Sequence, residues 1–283
     1  MNSFHDLDSA IDRWFREDIG DGDHTTYSTI PYDITGSAKL LVKEAGIIAG
    51  VMVAERIFHR FDKALQLNLL MEDGAPIERG DVVLRVSGNV HSILQCERLV
   101  LNVMQRMSGI ATNTRSYVKL LEGTGTRILD TRKTTPGMRL LEKLAVKLGG
   151  GVNHRFGLHD MILIKDNHVD FAGGIVEAIE GTRAYLDEKK LDLEIVVETR
   201  NLKDIEKVLT VGGVRRILLD NFSLEQTRKA VKLIDKRVET ESSGGITRKS
   251  IRSYAECGVD YISVGALTHQ IESLDLSLKA DFN

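Results

Sequence analysis

A rhythm of short strand-like runs after Gly125 constrains this chain more than any other feature. The runs are RILDT (127–131), MILIK (161–165), EIVVE (194–198), RILLD (216–220), RVETE (237–241) and DYISV (260–264). Helix-like stretches lie between most of them, at 138–148, 175–188, 201–210, 224–233 and 247–257. Strands that mostly lack polar alternation, separated by helices, imply a parallel sheet covered on both faces. Six such units in about 140 residues predict a barrel or a doubly wound sheet, and spacing alone leaves the two open.

The first hundred or so residues read differently. Phe4, Leu7, Ile11, Trp14 and Phe15 fall at helical spacing. Residues 37–48, 65–71 and 82–87 read as strands with turn signals between them, and 51–61 and 91–121 as helices. Ser108-Gly109 is the expected break in the second helix.

In either parallel architecture a ligand binds beyond the carboxyl ends of the strands. Those ends carry Arg132 and Lys133, Lys165, Glu198, Asp220, Glu241 followed by Ser243-Gly244-Gly245, and Gly265-Ala266. Cations, carboxylates and small-residue loops on one rim suit a phosphorylated substrate accompanied by a divalent metal. Glu198 and Asp220 are hard oxygen donors of the type that hold Mg2+, although a pair of surface salt bridges would use the same residues. The Ser243–Gly245 loop, with a helix expected at 247–257, offers backbone N–H groups to phosphate; an ordinary turn is the plainer reading of that loop taken alone.

Charge sharpens the picture. Between 127 and 167, Arg127, Arg132, Lys133, Arg139, Lys143, Lys147, Arg155 and Lys165 oppose Asp130, Glu142, Asp160 and Asp166, a balance of +4 in a chain of net −3. Arg132, Arg155 and Lys165 suit a carboxylate or phosphate, with His154 beside them, whereas Arg139, Lys143 and Lys147 form a helical row that solvation explains. His24, His59 and His91 lack such a setting. The acidic balance gives no global attraction to nucleic acid or membrane. Cys96 and Cys257 show no CxxC spacing, and the N-terminus lacks the pattern of a signal peptide, so a reducing, cytoplasmic setting is expected.

The residues also match a family pattern. EDIGDGDHTT (17–26), ERLVLNVMQRMSGIAT (97–112), DTRKTTPGMRLLEK (130–143), GGGVNHRFGLHDMILIKDNH (149–168), VVETRN (196–201), LLDN (218–221), SSGGIT (242–247) and DYISVGALTH (260–269) run in order across nearly the whole chain. In these blocks the chain resembles the quinolinate phosphoribosyltransferases, the carboxylating nicotinate-nucleotide diphosphorylases. The resemblance implies an α/β fold: an N-terminal α/β sandwich domain over 1–112, completed by 270–283, and an incomplete parallel α/β barrel over 113–269, like that of the type II phosphoribosyltransferases.

It also implies a pentosyl transfer, from quinolinate and phosphoribosyl pyrophosphate to nicotinate mononucleotide, pyrophosphate and CO2, with Mg2+, as a step of NAD synthesis. Carried over by motif, Thr131, Arg132, Lys133, His154, Arg155 and Lys165 line the substrate pocket. Glu198 and Asp220 face the ribose hydroxyls and Mg2+, which is held largely through the substrate. Ser243, Gly244, Gly245, Val264, Gly265 and Ala266 hold the 5-phosphate with His269 close by. Lys133, Lys165, Glu198 and Asp220 are the expected catalytic set. The family works as a homodimer or an assembly of dimers, with Arg106 reaching the neighbouring site. Leu148, His159 and Ser242 depart from a family pattern of cysteine, tyrosine and alanine, and none of the three removes a charge.

Other readings compete. A related family associated with molybdenum transport shares the fold but lacks the KDNH block that stands here at 165–168. A transferase that uses nicotinate would not need cations for a second carboxylate. A silent sugar-phosphate-binding protein would be expected to have lost polar groups that are all present.

Overall fold

The computed structural model describes residues 3–281, and side chains from Leu7 onward; the side chain of Phe4 lies outside the described residues. The chain divides into two compact units: residues 1–115, 134–150 and 268–283, and residues 116–133 and 151–267. The stretch 134–150, expected with the barrel, therefore clusters with the first unit.

The first unit opens with α1 (Ser3–Ile19) and α2 (His24–Thr29), followed by β1 (Thr35–Val42), β2 (Gly46–Ile47), α3 (Val51–Phe61), β3 (Gln66–Leu69), β4 (Pro76–Ile77), β5 (Val82–Asn89) and α4 (Val90–Leu120). The single strand expected over 37–48 is two strands, β1 and β2, in different sheets. β1 buries Ala38, Leu40 and Val42 in alternation, which puts one face of its sheet on the core. α3 buries Val51, Val53, Ala54, Ile57 and Phe58, and is tied to α1 by Arg56–Asp8 and Arg60–Asp12 pairs. α4 runs unbroken for 31 residues through Ser108-Gly109. Gly109 serves close approach, because a Cβ there would collide with the carbonyl of Glu272. Ser108 Oγ accepts from Ala49 N at 2.9 Å and so is satisfied without bending the helix.

The second unit begins with β6 (Arg127–Leu129). The chain then passes through α5 (Arg139–Leu148) of the first unit and returns with β7 (Ile162–Ile164), α6 (Asp166–Ala172), α7 (Ile175–Lys189), β8 (Ile195–Thr199), α8 (Leu202–Val211), β9 (Arg216–Asp220), α9 (Leu224–Ile234), β10 (Glu239–Ser243), α10 (Ile251–Ala255), β11 (Tyr261–Ser263) and α11 (Ala266–His269). A last strand, β12 (Leu276–Ala280), pairs antiparallel with β1 at the edge of the first unit's four-stranded sheet, whose order is β12-β1-β5-β3.

The six strands of the second unit are all parallel, in the order β6-β11-β10-β9-β8-β7. Neighbours in space are neighbours in sequence, and the last strand returns to the first. That is a ring opened between β6 and β7, and it decides for an incomplete barrel over a doubly wound sheet. Val152 lies beside β6 at the opening, where its N–H donates to Ile128 O at 2.9 Å and its carbonyl accepts from Asp130 N at 3.1 Å.

Strand register separates two chemistries. Ile128, Ile164, Val197, Ile217, Leu219 and Ile262 alternate onto one face, which the helices cover. Lys165, Glu198, Asp220, Glu241, Ser243 and Ser263 share the parity of the other face. Two expected boundaries shift. β10 covers 239–243 where 237–241 was expected, so Glu241 is an interior residue, fully buried, and no part of the rim. The helix expected over 247–257 is the shorter α10, so no helix N-terminus directly follows Ser243–Gly245. Among the described residues no helix is long and apolar enough to cross a membrane.

Candidate active site

β8 and β9 place the carboxylates. Glu198 pairs in register with Leu218, two residues before Asp220, so both acids leave adjacent parallel strands on the same face. Burial is the largest influence on the Glu198 carboxyl and raises its pKa; Asp220 and Asp166 push the same way, while Lys165 opposes them. Two carboxylates that repel each other beside a lysine make a place for a cation and for hydroxyl groups. Asn221, held at a left-handed φ of 54°, donates from its amide to Asp220 Oδ2 at 2.9 Å and from its N–H to Ser243 O at 2.9 Å. It thus locks the β9 loop to the β10 loop. The sequence reading left Asn221 out of the site, although it closes the LLDN block.

Gly244 and Gly245 adopt φ of 95° and 60°, which L side chains rarely tolerate. A Cβ on Gly244 would also meet the amide of Asn221. Glycine is therefore required here by geometry, and it leaves Ser243–Gly245 as bare backbone at the strand end. Val264 donates to Leu129 O at 3.0 Å, carrying the chain from β11 into Gly265 and Ala266.

The cations arrive on the segments beside the opening. Lys165 stands immediately before α6, and its N–H donates to His168 Nδ1 at 2.9 Å. The KDNH block is therefore the start of a short helix absent from the sequence reading. Arg132 and Lys133 are exposed beyond β6, where Lys133 N donates to Thr131 Oγ1 at 3.0 Å. Arg155 is only 8% exposed. Burial lowers its pKa most, and the like charge of Arg132 adds to that, against Asp160. Its NH1 donates to Met161 O at 3.2 Å, and its buried Nε has no hydrogen-bond partner among the described residues. A buried guanidinium beside a second guanidinium, with a donor unused, is arranged for an anion.

Two acids shape this corner. Asp160 accepts from Phe156 N and Gly157 N at 2.6 and 2.7 Å; burial raises its carboxyl, but these bonds outweigh burial and hold it low. Asp130, fully buried, accepts from Asn153 Nδ2 and His154 N at 2.5 and 2.8 Å. Asp130 escaped the sequence reading because its role is to hold the Asn153 side chain and the His154 backbone, which no spacing reveals. His154 is itself buried.

The second unit thus carries Thr131 to Lys133, Lys165, Glu198, Asp220, Ser243–Gly245 and Val264–Ala266 at the carboxyl ends of its strands, with His154 and Arg155 on the chain between β6 and β7. Arg106 and His269 belong to the first unit. Arg106 donates to the buried Glu142 Oε1 from Nε at 2.8 Å and from NH2 at 2.6 Å, and to Thr135 Oγ1 at 2.7 Å. His269 is exposed at the end of α11. Lys143, expected in a solvated row, is 4% exposed, while Lys147 is exposed and Arg139 Nε donates to Thr134 Oγ1 at 2.9 Å. A pocket of about 480 Å3 along β7, α6 and α7 takes only Arg155 from the candidate set and is mostly apolar. Among the described residues no group of three or more His, Cys, Asp or Glu could hold a metal. Glu198 and Asp220 offer two hard oxygen ligands, which fits Mg2+ bound mainly through a substrate.

Family models divide the chain much as the folds do: one for the quinolinate phosphoribosyl transferase N-terminal domain matches residues 23–108, and one for the C-terminal domain matches residues 110–279. The chain belongs to the quinolinate phosphoribosyltransferase family. Its relatives within that family include the chloroplastic nicotinate-nucleotide pyrophosphorylase [carboxylating] of Arabidopsis thaliana, 44% identical over 98% of this chain and 83% of the relative. A probable nicotinate-nucleotide pyrophosphorylase [carboxylating] of Bacillus subtilis is 40% identical over 96% of this chain and 92% of its own length. The crystal structure of NadC from Streptococcus pyogenes superposes with a TM-score of 0.92 at 40% identity, over 99% of this chain and 97% of that one. Quinolinate phosphoribosyltransferase family membership therefore rests on both domains, in sequence and in fold.

Proposed function

We propose that this chain transfers the phosphoribosyl group of phosphoribosyl pyrophosphate to quinolinate, releasing pyrophosphate and CO2 and forming nicotinate mononucleotide for NAD synthesis. The observation that carries this reading is the shared face of the barrel. Lys165, Glu198, Asp220 and Ser243 stand on it side by side, with Arg155 buried at the opening. Cations for a diacid, carboxylates for a sugar and glycine backbone for a phosphate are what the two substrates present.

The reaction then follows the charges. Arg132, Arg155 and Lys165, with His154 behind them, bind the two carboxylates of quinolinate and aim its ring nitrogen at the anomeric carbon. Glu198 and Asp220 hold the ribose hydroxyls, Ser243–Gly245 and Val264–Ala266 hold the 5-phosphate, and His269 is assigned to the same end. As the C–N bond forms, the C–O bond to pyrophosphate breaks, and Lys133 and Lys165 offset the charge growing on the leaving group. Glu198 and Asp220 would hold Mg2+, largely through the substrate, and the bound ion would supply further positive charge for the leaving group. The ring nitrogen is then quaternary. The carboxylate beside it leaves as CO2, the electron pair staying on the ring carbon under the pull of the cation until a proton replaces it.

Arg106 is assigned to the neighbouring subunit's site in a homodimer or an assembly of dimers, on the strength of its place in the MQR block. A cytoplasmic setting is supported by two buried, unbridged cysteines, Cys96 and Cys257. The net charge of −3 gives no reason to add nucleic acid or membrane as partners. The test is turnover with both substrates and Mg2+. Nicotinate mononucleotide should form from quinolinate and not from nicotinate; equal use of nicotinate would overturn the assignment of cations to a second carboxylate.

A further inference from the structure

The barrel interior contains a charged line of which the proposed reaction uses only the His154–Arg155 end. Arg216 opens β9, 7% exposed, its guanidinium 4.1 Å from the Tyr261 ring centroid. Its NH2 donates to Glu239 Oε2 at 3.2 Å, and its NH1 donates to Glu241 Oε2 at 3.0 Å. The same Glu241 oxygen lies 3.5 Å from His154 Nε2, and Glu241 is fully buried. His154 Nδ1 in turn accepts the backbone N–H of Arg155 at 2.7 Å. Four groups, Arg216, Glu241, His154 and Arg155, thus run from the first residue of β9 to the guanidinium beside the opening.

Stability does not account for this line. A buried ion pair generally contributes no more than apolar residues of the same volume, because desolvation offsets the attraction. Glu241 is not even fully satisfied, since Oε1 has no hydrogen-bond partner among the described residues. Burial pushes its carboxyl up, and His154, Arg216 and Ser263 together outweigh burial to keep it ionised. Barrel interiors are ordinarily filled by branched aliphatic side chains. A carboxylate kept charged in such a place has a task.

The task follows from the donor directions. A backbone N–H can only donate, so His154 Nδ1 must be unprotonated to receive Arg155 N. The neutral ring then carries its proton on Nε2, the nitrogen that lies 3.5 Å from Glu241 Oε2. We propose that Glu241 is a positioning residue for the aromatic diacid: anchored by Arg216, it holds the His154 ring in the one tautomer and orientation that fixes the Arg155 backbone and hence its guanidinium. The inference rests on the functional reading above and deepens it, because it separates recognition of the diacid from recognition of the sugar phosphate.

The experiment compares the whole enzyme with Glu241→Gln, which keeps shape and loses charge, and with Arg216→Met/Glu241→Leu, which removes both charges and fills the space. KM for quinolinate should rise on the order of tenfold in both variants, as expected for losing a charge-assisted contact. KM for phosphoribosyl pyrophosphate should stay within about twofold. Ring 15N spectra should show His154 protonated at Nε2 alone in the wild type and as mixed tautomers in the variants. Should Glu241→Gln not fold, the double variant decides. An unchanged quinolinate KM with the wild-type tautomer, equal losses for both substrates, or failure of both variants to fold would each overturn the proposal. If the wild type turned over neither substrate, the functional reading would fall, and the ring spectra would still report whether Glu241 sets the tautomer.

Discussion

Replacing Arg155 by Met tests the proposed anion pocket against the view that these cations only hold the fold together. Methionine keeps much of the apolar stem and removes the guanidinium. On the folded side the losses are small. One hydrogen bond, NH1 to Met161 O at 3.2 Å, disappears, worth about 1 kcal/mol. Against that, a buried charge is relieved of desolvation and of its repulsion from Arg132. The two effects oppose each other, so the melting temperature should move by no more than roughly 2–4 °C. On the ligand side nothing offsets the loss. Hydrogen bonds to charged groups are worth about 1.5–3 kcal/mol, so quinolinate KM should rise roughly 10- to 150-fold. Differential scanning fluorimetry and steady-state kinetics read the two sides separately. A variant that melts far below wild type while the folded fraction keeps its quinolinate KM would refute the reasoning, because Arg155 would then be a structural cation.

Three further expectations follow from the packing and the charges. Glu198→Gln should abolish turnover and yet raise the melting temperature: an acid whose folded pKa is raised contributes stability below its ordinary value of 4.5 and loses it as pH rises through the raised one. Its thermal advantage should therefore be clear near about pH 8 and nearly vanish near about pH 4, and parallel melting curves would contradict this. Gly109→Ala, which would stabilise most helices, should destabilise α4 by about 1–3 kcal/mol in chemical denaturation because the added methyl meets the Glu272 carbonyl. A gain in stability would show that the approach is not tight. Gly244→Ala combines a left-handed φ of 95° with a collision at Asn221, and should cost about 1–3 kcal/mol and raise the KM for phosphoribosyl pyrophosphate more than that for quinolinate.

What the sequence made legible was whatever depends on strand ends. The runs ending at Lys165, Glu198 and Asp220 mark a rim because consecutive parallel strands must present their carboxyl ends together, and register places all three on one face. Strand spacing did not choose barrel over open sheet, since that choice depends on β11 pairing back to β6, a long-range contact that leaves no local pattern; the family resemblance supplied it. Glu241 was misplaced for a simpler reason. RVETE reads as a strand two residues earlier than β10 begins, which turned an interior carboxylate into a strand-end residue of the rim. Asp130 and Asn221 were missed because their partners are backbone groups and other site residues rather than ligand. Gly109 looked like a helix break only because its real neighbour, Glu272, is far away in sequence.

The stoichiometry of decarboxylation bears most directly on the central claim, that one rim joins the diacid to the sugar and then releases CO2. Quinolinate labelled in the carboxyl group beside the ring nitrogen, incubated with the enzyme, phosphoribosyl pyrophosphate and Mg2+, should release one labelled CO2 for each nicotinate mononucleotide formed, and none when phosphoribosyl pyrophosphate is left out. Product that keeps the label, or CO2 released without the sugar donor, would contradict the account.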